Sequence, residues 1–485
     1  MIAEAPTPTT AQWKDLRQWL DKVDGLGQLA RVDDVDLNLE ACALSELVFR
    51  KTRKRPALLL DNIKDYPAGA RLLLNPVGSR DRLALTLNLP LGLTDLQFVD
   101  HLRERLRTLK PIPAQKVSTG AVFENVQKGD DINLWQFPAP FWHEQDGGRY
   151  LGTGDLVITR DPDEGWANSG TYRVMIHDKD TAGIYINPNG HGSVQMQKYF
   201  ERGQPCPVVV CPGPDPLLFS VSCSNVPRGV SELDYAGGFL NAPVEIVEGP
   251  LTGLPIPANT EIAIEGEILP ETRPEGPFGE FHGYYASGQQ LNPIIKVKAV
   301  YHRNNPIVVG VPPLRPPSDN TFVNLYTRPA LIWNALEAAG IPDVKGVWGH
   351  GGISLFFIAV AIHQRYPGHA KQVGLLVSQL PAGVHMNRFV VVVDDDIDVT
   401  DSEQVIWAMS TRCDPETQVD LIRRCVSSPL DTVLPFTREN SQNSRMIIDA
   451  CRPFERLKTF PPVIRMSPEL EARVETRFKD LLEAW

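Results

Sequence analysis

Glu261-Ile262-Ala263-Ile264-Glu265-Gly266-Glu267 and Ile294-Ile295-Lys296-Val297-Lys298-Ala299-Val300-Tyr301 are the two runs that set the character of this chain. Both are strand-like, the first carrying two isoleucines and the second isoleucine and valine, with polar residues interleaved. Tyr150 to Ile158, Tyr172 to His177, Val208 to Cys211 and Val244 to Val247 are further strand-like runs. Gly, Pro, Asn and Asp separate most of them, so the middle of the chain, from Gln115 to Val311, predicts a β-barrel or sandwich with one helix near Val194 to Arg202.

The flanks have a different texture. Before Pro111-Ile112-Pro113, a natural linker, the chain reads as a small α/β unit. Trp13, Leu16, Leu20 and Val23 recur at helical spacing, which predicts a helix from Gln12 to Val23 with Thr9 and Thr10 as cap candidates and Gly25 as its end. Ala57-Leu58-Leu59-Leu60 and Arg71-Leu72-Leu73-Leu74 are short apolar runs between turns. The last third alternates again: a helix from Asn324 to Ala339, a buried run from Ile353 to Ile362, a strand from Phe389 to Val393, and a helix from Glu403 to Ser410. Ser467, Pro468 and the apolar series Leu470, Val474, Phe478, Leu481 and Trp485 predict a terminal amphipathic helix that must dock on its own chain or on a partner.

At 485 residues the chain has room for two or three domains, and 42 prolines argue against an all-helical protein. Lys plus Arg total 48 and Asp plus Glu 59, a net charge of −11 that argues against a nucleic-acid or anionic-membrane binder. No basic start followed by an apolar core is visible at the N-terminus, and the apolar run Ile353 to Ile362 is about half the length needed to span a bilayer. The expectation is therefore a cytoplasmic protein. None of the seven cysteines falls in a Cys-x-x-Cys pair, and Cys206 with Cys211 makes a poor zinc signature.

Phosphate-loop, nucleophile-elbow and zinc-protease signatures are all absent from the sequence. Gly349-His350-Gly351-Gly352 lacks dinucleotide spacing and reads as a loop that needs glycine conformations. Pro274-Glu275-Gly276-Pro277-Phe278-Gly279-Glu280-Phe281-His282 is more informative. On a regular strand Glu275 and Glu280 would face opposite sides, but a loop built on Gly276, Pro277 and Gly279 can bring them together. Two such carboxylates, or one against an apolar wall, could hold a proton near neutrality. Arg173, in Asn168-Ser169-Gly170-Thr171-Tyr172-Arg173-Val174, sits beside apolar strand neighbours and is either a snorkelling edge residue or a fixed carboxylate fork. The triplet Asp394 to Asp396 reads as a strand end turning into solvent.

In order along the chain, Asn168 to Arg173, His191, Ser231-Glu232, Glu275 to Glu280, Gly368-His369-Ala370-Lys371, and Phe389 to Asp396 followed by Trp407-Ala408 and Thr411-Arg412 resemble the UbiD family of decarboxylases. The resemblance runs from the first helix to about residue 460. It is similar to the branches of fungal ferulic acid decarboxylase and bacterial heteroaromatic acid decarboxylases about as well as to the ubiquinone-pathway branch. The family implies a mixed α+β fold of three parts. Residues 1–114 would be an N-terminal α/β domain, 115–311 a central split β-barrel like that of flavin reductases, and 312–485 a C-terminal α/β domain with a terminal helix, used for oligomerisation.

The resemblance also implies a chemistry: reversible, non-oxidative loss of CO2 from an aromatic, heteroaromatic or α,β-unsaturated acid, with prenylated FMN as electron sink. Its acid–base network maps onto Glu275, Arg173 and Glu280. Both carboxylates are Glu here, where the ubiquinone-pathway branch has Asp at the second position. Cofactor contacts map onto Asn168, Tyr172, Arg173, His191, Ser222, Glu232 and Arg388. Asn168, His191 and Glu232 would hold Mn2+ or Mg2+ on the phosphate, with K+ nearby. Tyr185, Phe281, Asn320 and Phe436 are the substrate-pocket candidates, although Asn320 also reads as an ordinary turn residue. A flavin prenyltransferase would supply the cofactor, and the assembly would be a homodimer or homohexamer. Two other readings stand beside this one: a split-barrel flavin oxidoreductase, and a non-catalytic flavin-binding subunit of a carboxylase complex.

Overall fold

A computed structural model describes residues 13–188, 190–224, 226–352, 354–384, 386–435 and 441–484. The first helix is Leu16–Gly25, and Asp15 caps it by accepting from the Gln18 amide. It therefore starts later than Gln12, and Thr9 and Thr10 lie outside the described residues. Trp13, Leu16, Leu20 and Val23 are buried, as their spacing predicts. This helix borders a four-stranded sheet in the order Leu29–Asp33, Ala57–Asp61, Arg71–Leu74 and Ile307–Gly310. The last of these strands arrives from more than two hundred residues on and pairs parallel to Arg71–Leu74. That crossover fastens the N-terminal layer to the middle of the chain.

The middle forms one sheet of nine strands. Its order is Tyr150–Gly152, Arg173–Asp178, Thr181–Tyr185, Gln290–His302, Ile262–Glu275, Cys206–Cys211, Leu156–Arg160 and Ala167–Gly170, with Asn125–Lys128 also paired to Gln290–His302. Among the described residues its end strands do not pair with each other, so no hydrogen-bonded barrel closes. The single run expected from Tyr150 to Ile158 is broken at 153–155 into two strands. Val244 to Val247 also departs from expectation: it joins a small separate sheet with Gln115–Lys116 and Pro255–Pro257.

The two runs quoted at the outset are the antiparallel pair Ile262–Glu275 and Gln290–His302. The first continues well past Glu267 because Pro270 falls at a bulge between Leu269 and Thr272, where no ladder N–H is needed. Glu275 is consequently the last residue of a strand, paired with Gln290, instead of a loop residue. The expected helix near Val194 is His191–Glu201.

In the C-terminal part, helix Asp319–Ala338 begins five residues before the expected Asn324, because Ser318 and Thr321 form a capping box. Asn320 is therefore in a first helical turn. Five strands follow in the order Val344–Gly349, Phe357–Ile362, Phe389–Asp394, Gln442–Ala450 and Val419–Val426. The glycine-rich loop behaves as read: Gly351 and Gly352 have φ of 76° and 72°. The aspartate triplet does not turn wholly into solvent. Asp394 is buried and pairs with Arg412 and Arg452, Asp396 pairs with Arg412 and Arg465, and only Asp395 is exposed. The terminal helix is Pro468–Arg477, capped by Ser467, and it breaks at Phe478 before Lys479–Ala484. Leu470, Phe478, Leu481 and Leu482 remain exposed and do not dock on this chain. No helix among the described residues is long and apolar enough to cross a membrane.

Candidate active site

Arg173 opens the strand Arg173–Asp178, with its side chain only 6% exposed. Its Nε and Nη2 donate to Oε1 and Oε2 of Glu275, both at 2.9 Å, which is a two-pronged fork. Its Nη1 donates to Oε1 of Glu280 at 2.7 Å. The guanidinium carbon also lies 4.3 Å from the Tyr185 ring centroid and 5.2 Å from that of Phe278, so the cation is sandwiched by π faces. The fork reading of Arg173 therefore holds, and the snorkelling reading does not.

The turn between the two carboxylates decides this geometry. Glu275 ends its strand, Gly276 takes φ 76°, and Gly147 donates its amide to the Pro277 carbonyl at 2.8 Å. A Cβ on Gly147 would sit 2.0 Å from the Gly276 carbonyl oxygen, so only glycine admits that contact. Glu280 is then fixed by its amide bond to the Tyr284 carbonyl and by the Gly283 amide on its own carbonyl.

Glu275 is wholly buried and fully engaged. Besides the Arg173 fork, it accepts from the Tyr150 hydroxyl at 2.7 Å and from Asn292 Nδ2 at 2.8 Å. Hydrogen bonds to a buried charge contribute about 1.5–3 kcal/mol each. Tyr150→Phe is therefore expected to destabilise the central domain by about 2 kcal/mol, read as a lower urea midpoint at unchanged slope. Glu280 is placed differently. Burial lifts its carboxyl to about 7, against the pull of Arg173 and with a smaller push from Glu275. One carboxylate is locked and the other is poised to exchange a proton, which is the division of labour an acid–base pair needs.

Arg173, Tyr185, Phe278 and Glu280 line a cavity of about 610 Å³, within the range of cofactor sites; Glu275 does not border it and reaches it only through Arg173. The strand Ala167–Gly170 and the starts of helices His191–Glu201 and Glu232–Leu240 also contribute to the lining. They bring Asn168, His191 and Glu232 to the cavity, which Tyr172 and Ser222 line as well. The Glu232 carboxylate accepts from the Ser169 amide at 2.7 Å, and burial lifts its carboxyl to about 7. Nδ2 of Asn168 is buried without a hydrogen-bond partner. His191 packs edge-on to Trp166 at 5.3 Å. Burial raises the Tyr172 phenol to about 12, and Ser222 Oγ lies 3.1 Å from Ser169 Oγ. Among the described residues no three His, Cys, Asp or Glu side chains group as a metal site; the set here is one imidazole, one carboxylate and one amide.

Tyr185, Phe281 and Asn320 line the same cavity, and Asn320 Nδ2 donates to Cys223 Sγ at 3.5 Å. Arg388 does not line it. That residue pairs with Asp431 and borders a separate cleft with Arg423 and Arg424. Phe436 lies outside the described residues. Sequence reasoning missed Tyr150, Asn292, Phe278 and Thr153, which belong to the site or support it. Tyr150 and Asn292 reach Glu275 only through strand pairing, a signal that no local motif carries.

Comparison with known proteins identifies the family. Models of the N-terminal, Rift-related and C-terminal domains of 3-octaprenyl-4-hydroxybenzoate carboxy-lyase match residues 20–106, 115–316 and 321–450. Pyrrole-2-carboxylic acid decarboxylase of Pseudomonas aeruginosa is 34% identical over 417 residues, 83% of each chain. Phenolic acid decarboxylase of Bacillus subtilis is 33% identical over 91% of this chain and 93% of its own. Among solved structures, vanillic acid decarboxylase of Sedimentibacter hydroxybenzoicus in its open form superposes with a TM-score of 0.84 at 30% identity, covering 97% of this chain and 99% of that one. The UbiD-class enzyme HmfF of Pelotomaculum thermopropionicum, in complex with FMN, superposes at 0.81 with 28% identity, over 94% and 98%. With all three domain models matched in order and relatives aligned over most of their length, the chain belongs to the UbiD family of carboxy-lyases.

Proposed function

We propose that this protein catalyses reversible, non-oxidative decarboxylation of a planar aromatic or heteroaromatic acid, using prenylated FMN. The observation that carries this reading is the buried Glu275–Arg173–Glu280 cluster, whose Arg173 and Glu280 line the same cavity as Asn168, His191 and Glu232. The guanidinium has five N–H donors, and three are engaged by the two carboxylates. The other two can receive a substrate carboxylate and hold its C–CO2 bond in a fixed direction. A bound prenylated flavin would supply the electron sink that loss of CO2 from a ring carbon requires. Glu280, neutral below about 7, then supplies the proton that replaces CO2. Glu275 keeps Arg173 in place throughout. A flavin oxidoreductase or a passive flavin-binding subunit would have no need for this cluster.

Solved HmfF structures with FMN and with prFMN support the choice of cofactor. The residues present fit a metal-bridged phosphate: Asn168 Nδ2 is a buried donor that a phosphate oxygen could satisfy, its Oδ1 is an oxygen a hard cation could take, and Glu232 is a desolvated carboxylate that a cation would compensate. In this reading Asn168, His191 and Glu232 hold Mn2+ or Mg2+, with K+ close by, and Tyr172 and Ser222 border the same pocket. The central domain, 115–311, is then a split barrel of the flavin reductase type, between an N-terminal domain to 114 and an oligomerising domain from 312. The unpacked terminal helix supports a homodimer or homohexamer. A flavin prenyltransferase and a cytoplasmic setting complete the proposal. Asn320, beside Cys223, suits a ring N–H or O–H, so pyrrole-, indole- or hydroxybenzoate-type acids are the first to test, followed by cinnamate-like acids.

Protein co-expressed with a flavin prenyltransferase should carry the prenylated flavin by absorbance and mass and should release CO2 from one member of such a panel. Absence of flavin, or NAD(P)H oxidation without CO2 release, overturns the reading. Glu232→Gln tests the proposed metal ligands separately. Losing one charged ligand should lower metal content by elemental analysis and flavin retention on dialysis by at least about tenfold, the range seen when a metal site is weakened.

A further inference from the structure

A second cavity, about 550 Å³, lies on another face of the helix Asp319–Ala338 and shares no lining residue with the first. Its rim is supplied by a basic run. Of the six residues Arg50 to Arg55, all but Thr52 are cationic, on a chain whose net charge is −11. Arg50 is paired with Glu46. Arg53, Lys54 and Arg55 border the cavity together with Arg80, and among the described residues these first three make no ion pair. Two carboxylates, Asp81 and Asp95, also border it. Asp95 is occupied, accepting from Arg80 Nη1 and from the Tyr326 hydroxyl, each at 2.7 Å. Four cations against two acids leave a surplus of two positive charges around the cavity.

The floor is apolar and aromatic: Phe322, Leu325, Tyr326 and Trp348. Phe322, Tyr326 and Trp348 pack edge-on to one another, with centroids 5.4 Å apart for Phe322–Tyr326 and Tyr326–Trp348. Unpaired cations and aromatic rings lining one cavity suit a ligand with an oxyanion at one end and a flat ring at the other. They do not suit a bare inorganic ion, which would leave the floor unused.

We propose that this cavity is a second ligand site, for a small aromatic ring bearing a phosphate or a carboxylate. The oxyanion is held by Arg53, Lys54 and Arg55, and the ring lies against the Phe322–Trp348 floor. The test is titration calorimetry on the full chain with phenyl phosphate, benzoate and inorganic phosphate. It compares the native protein with the double variant Arg53→Ala/Lys54→Ala, whose side chains are exposed and outside the proposed catalytic machinery. Arg55→Ala serves as a second variant, and thermal melts confirm folding of both. Expected is at least a tenfold loss of affinity in the variants for one or both aromatic probes, with weaker binding of the native chain at high salt. Loss for phenyl phosphate alone identifies a phosphorylated aromatic as the occupant; loss for benzoate identifies an aromatic carboxylate. The proposal is overturned if neither aromatic probe binds, if the variants bind both as the native chain does, or if inorganic phosphate binds as tightly as phenyl phosphate.

Discussion

Arg173→Ala is expected to abolish CO2 release while the flavin stays bound. The substitution removes the cation that would orient the substrate and leaves Glu275, whose side chain is wholly buried, without its fork. Stranding one partner of a buried ion pair costs about 3–5 kcal/mol. The protein should therefore melt at a lower temperature. Arg173→Lys separates charge from geometry. A lysine keeps the charge but cannot bridge two oxygens of Glu275 while also reaching Glu280, so turnover should still fall by about 10²-fold or more from misplacement alone. The measurement is CO2 release with flavin content monitored by absorbance. Retention of more than a tenth of native activity in Arg173→Ala would remove Arg173 from the chemistry.

Glu280→Gln is the second large effect, and its signature is in pH as well as rate. If Glu280 supplies the proton, Gln cannot, and the rate should fall by about 10²–10⁴-fold, the usual contribution of general acid catalysis. In the native protein the competent form is the neutral acid. Because burial holds the carboxyl near 7, decarboxylation should be on a plateau below that value and should decline as pH rises through it. An anionic substrate beside Glu280 moves the decline upward, since a nearby negative charge disfavours ionisation.

Stability should follow the same sign. A carboxyl raised from 4.5 to about 7 in the folded state binds more protons folded than unfolded. Its contribution therefore favours the fold most below 4.5 and is lost as pH rises toward 7. The neutral, isosteric Gln escapes that loss, so at pH 8 Glu280→Gln should be more stable than the native chain, on the order of 2 kcal/mol. A variant that is inactive yet more heat-resistant at alkaline pH would identify Glu280 as a residue kept for function. A flat pH profile between 5 and 9 would not be compatible with that role.

The sequence by itself determined the elements whose information is local. The spacing of Trp13, Leu16, Leu20 and Val23 marked a buried helical face, and all four are buried. The runs at Ala57 and Arg71 became strands because a short continuous apolar run fits a strand that is covered on both faces, and those quoted at the outset because β-branched residues fit a pleated surface. The ordered motif series also placed Arg173, Glu275 and Glu280 in one reading before any coordinates, and the structure brings them into direct contact.

Tertiary structure decided what depends on residues distant in the chain. Whether Arg173 faced solvent or a carboxylate fork was open, because its partners lie about a hundred residues away and reach it through strand order. Glu275 was read in a loop built on Gly276, Pro277 and Gly279, yet a bulge at Pro270 lets its strand run on as far as that residue. The elevated Glu280 carboxyl is a property of burial, which no sequence pattern states. The separation of Arg388 from the cavity is of the same kind: Asp431, forty-three residues on, pairs with it only once the C-terminal sheet has formed. Local pattern sets which element a residue joins; the long-range pairing of those elements sets which charges meet, and in this protein the proposed chemistry lies in the second.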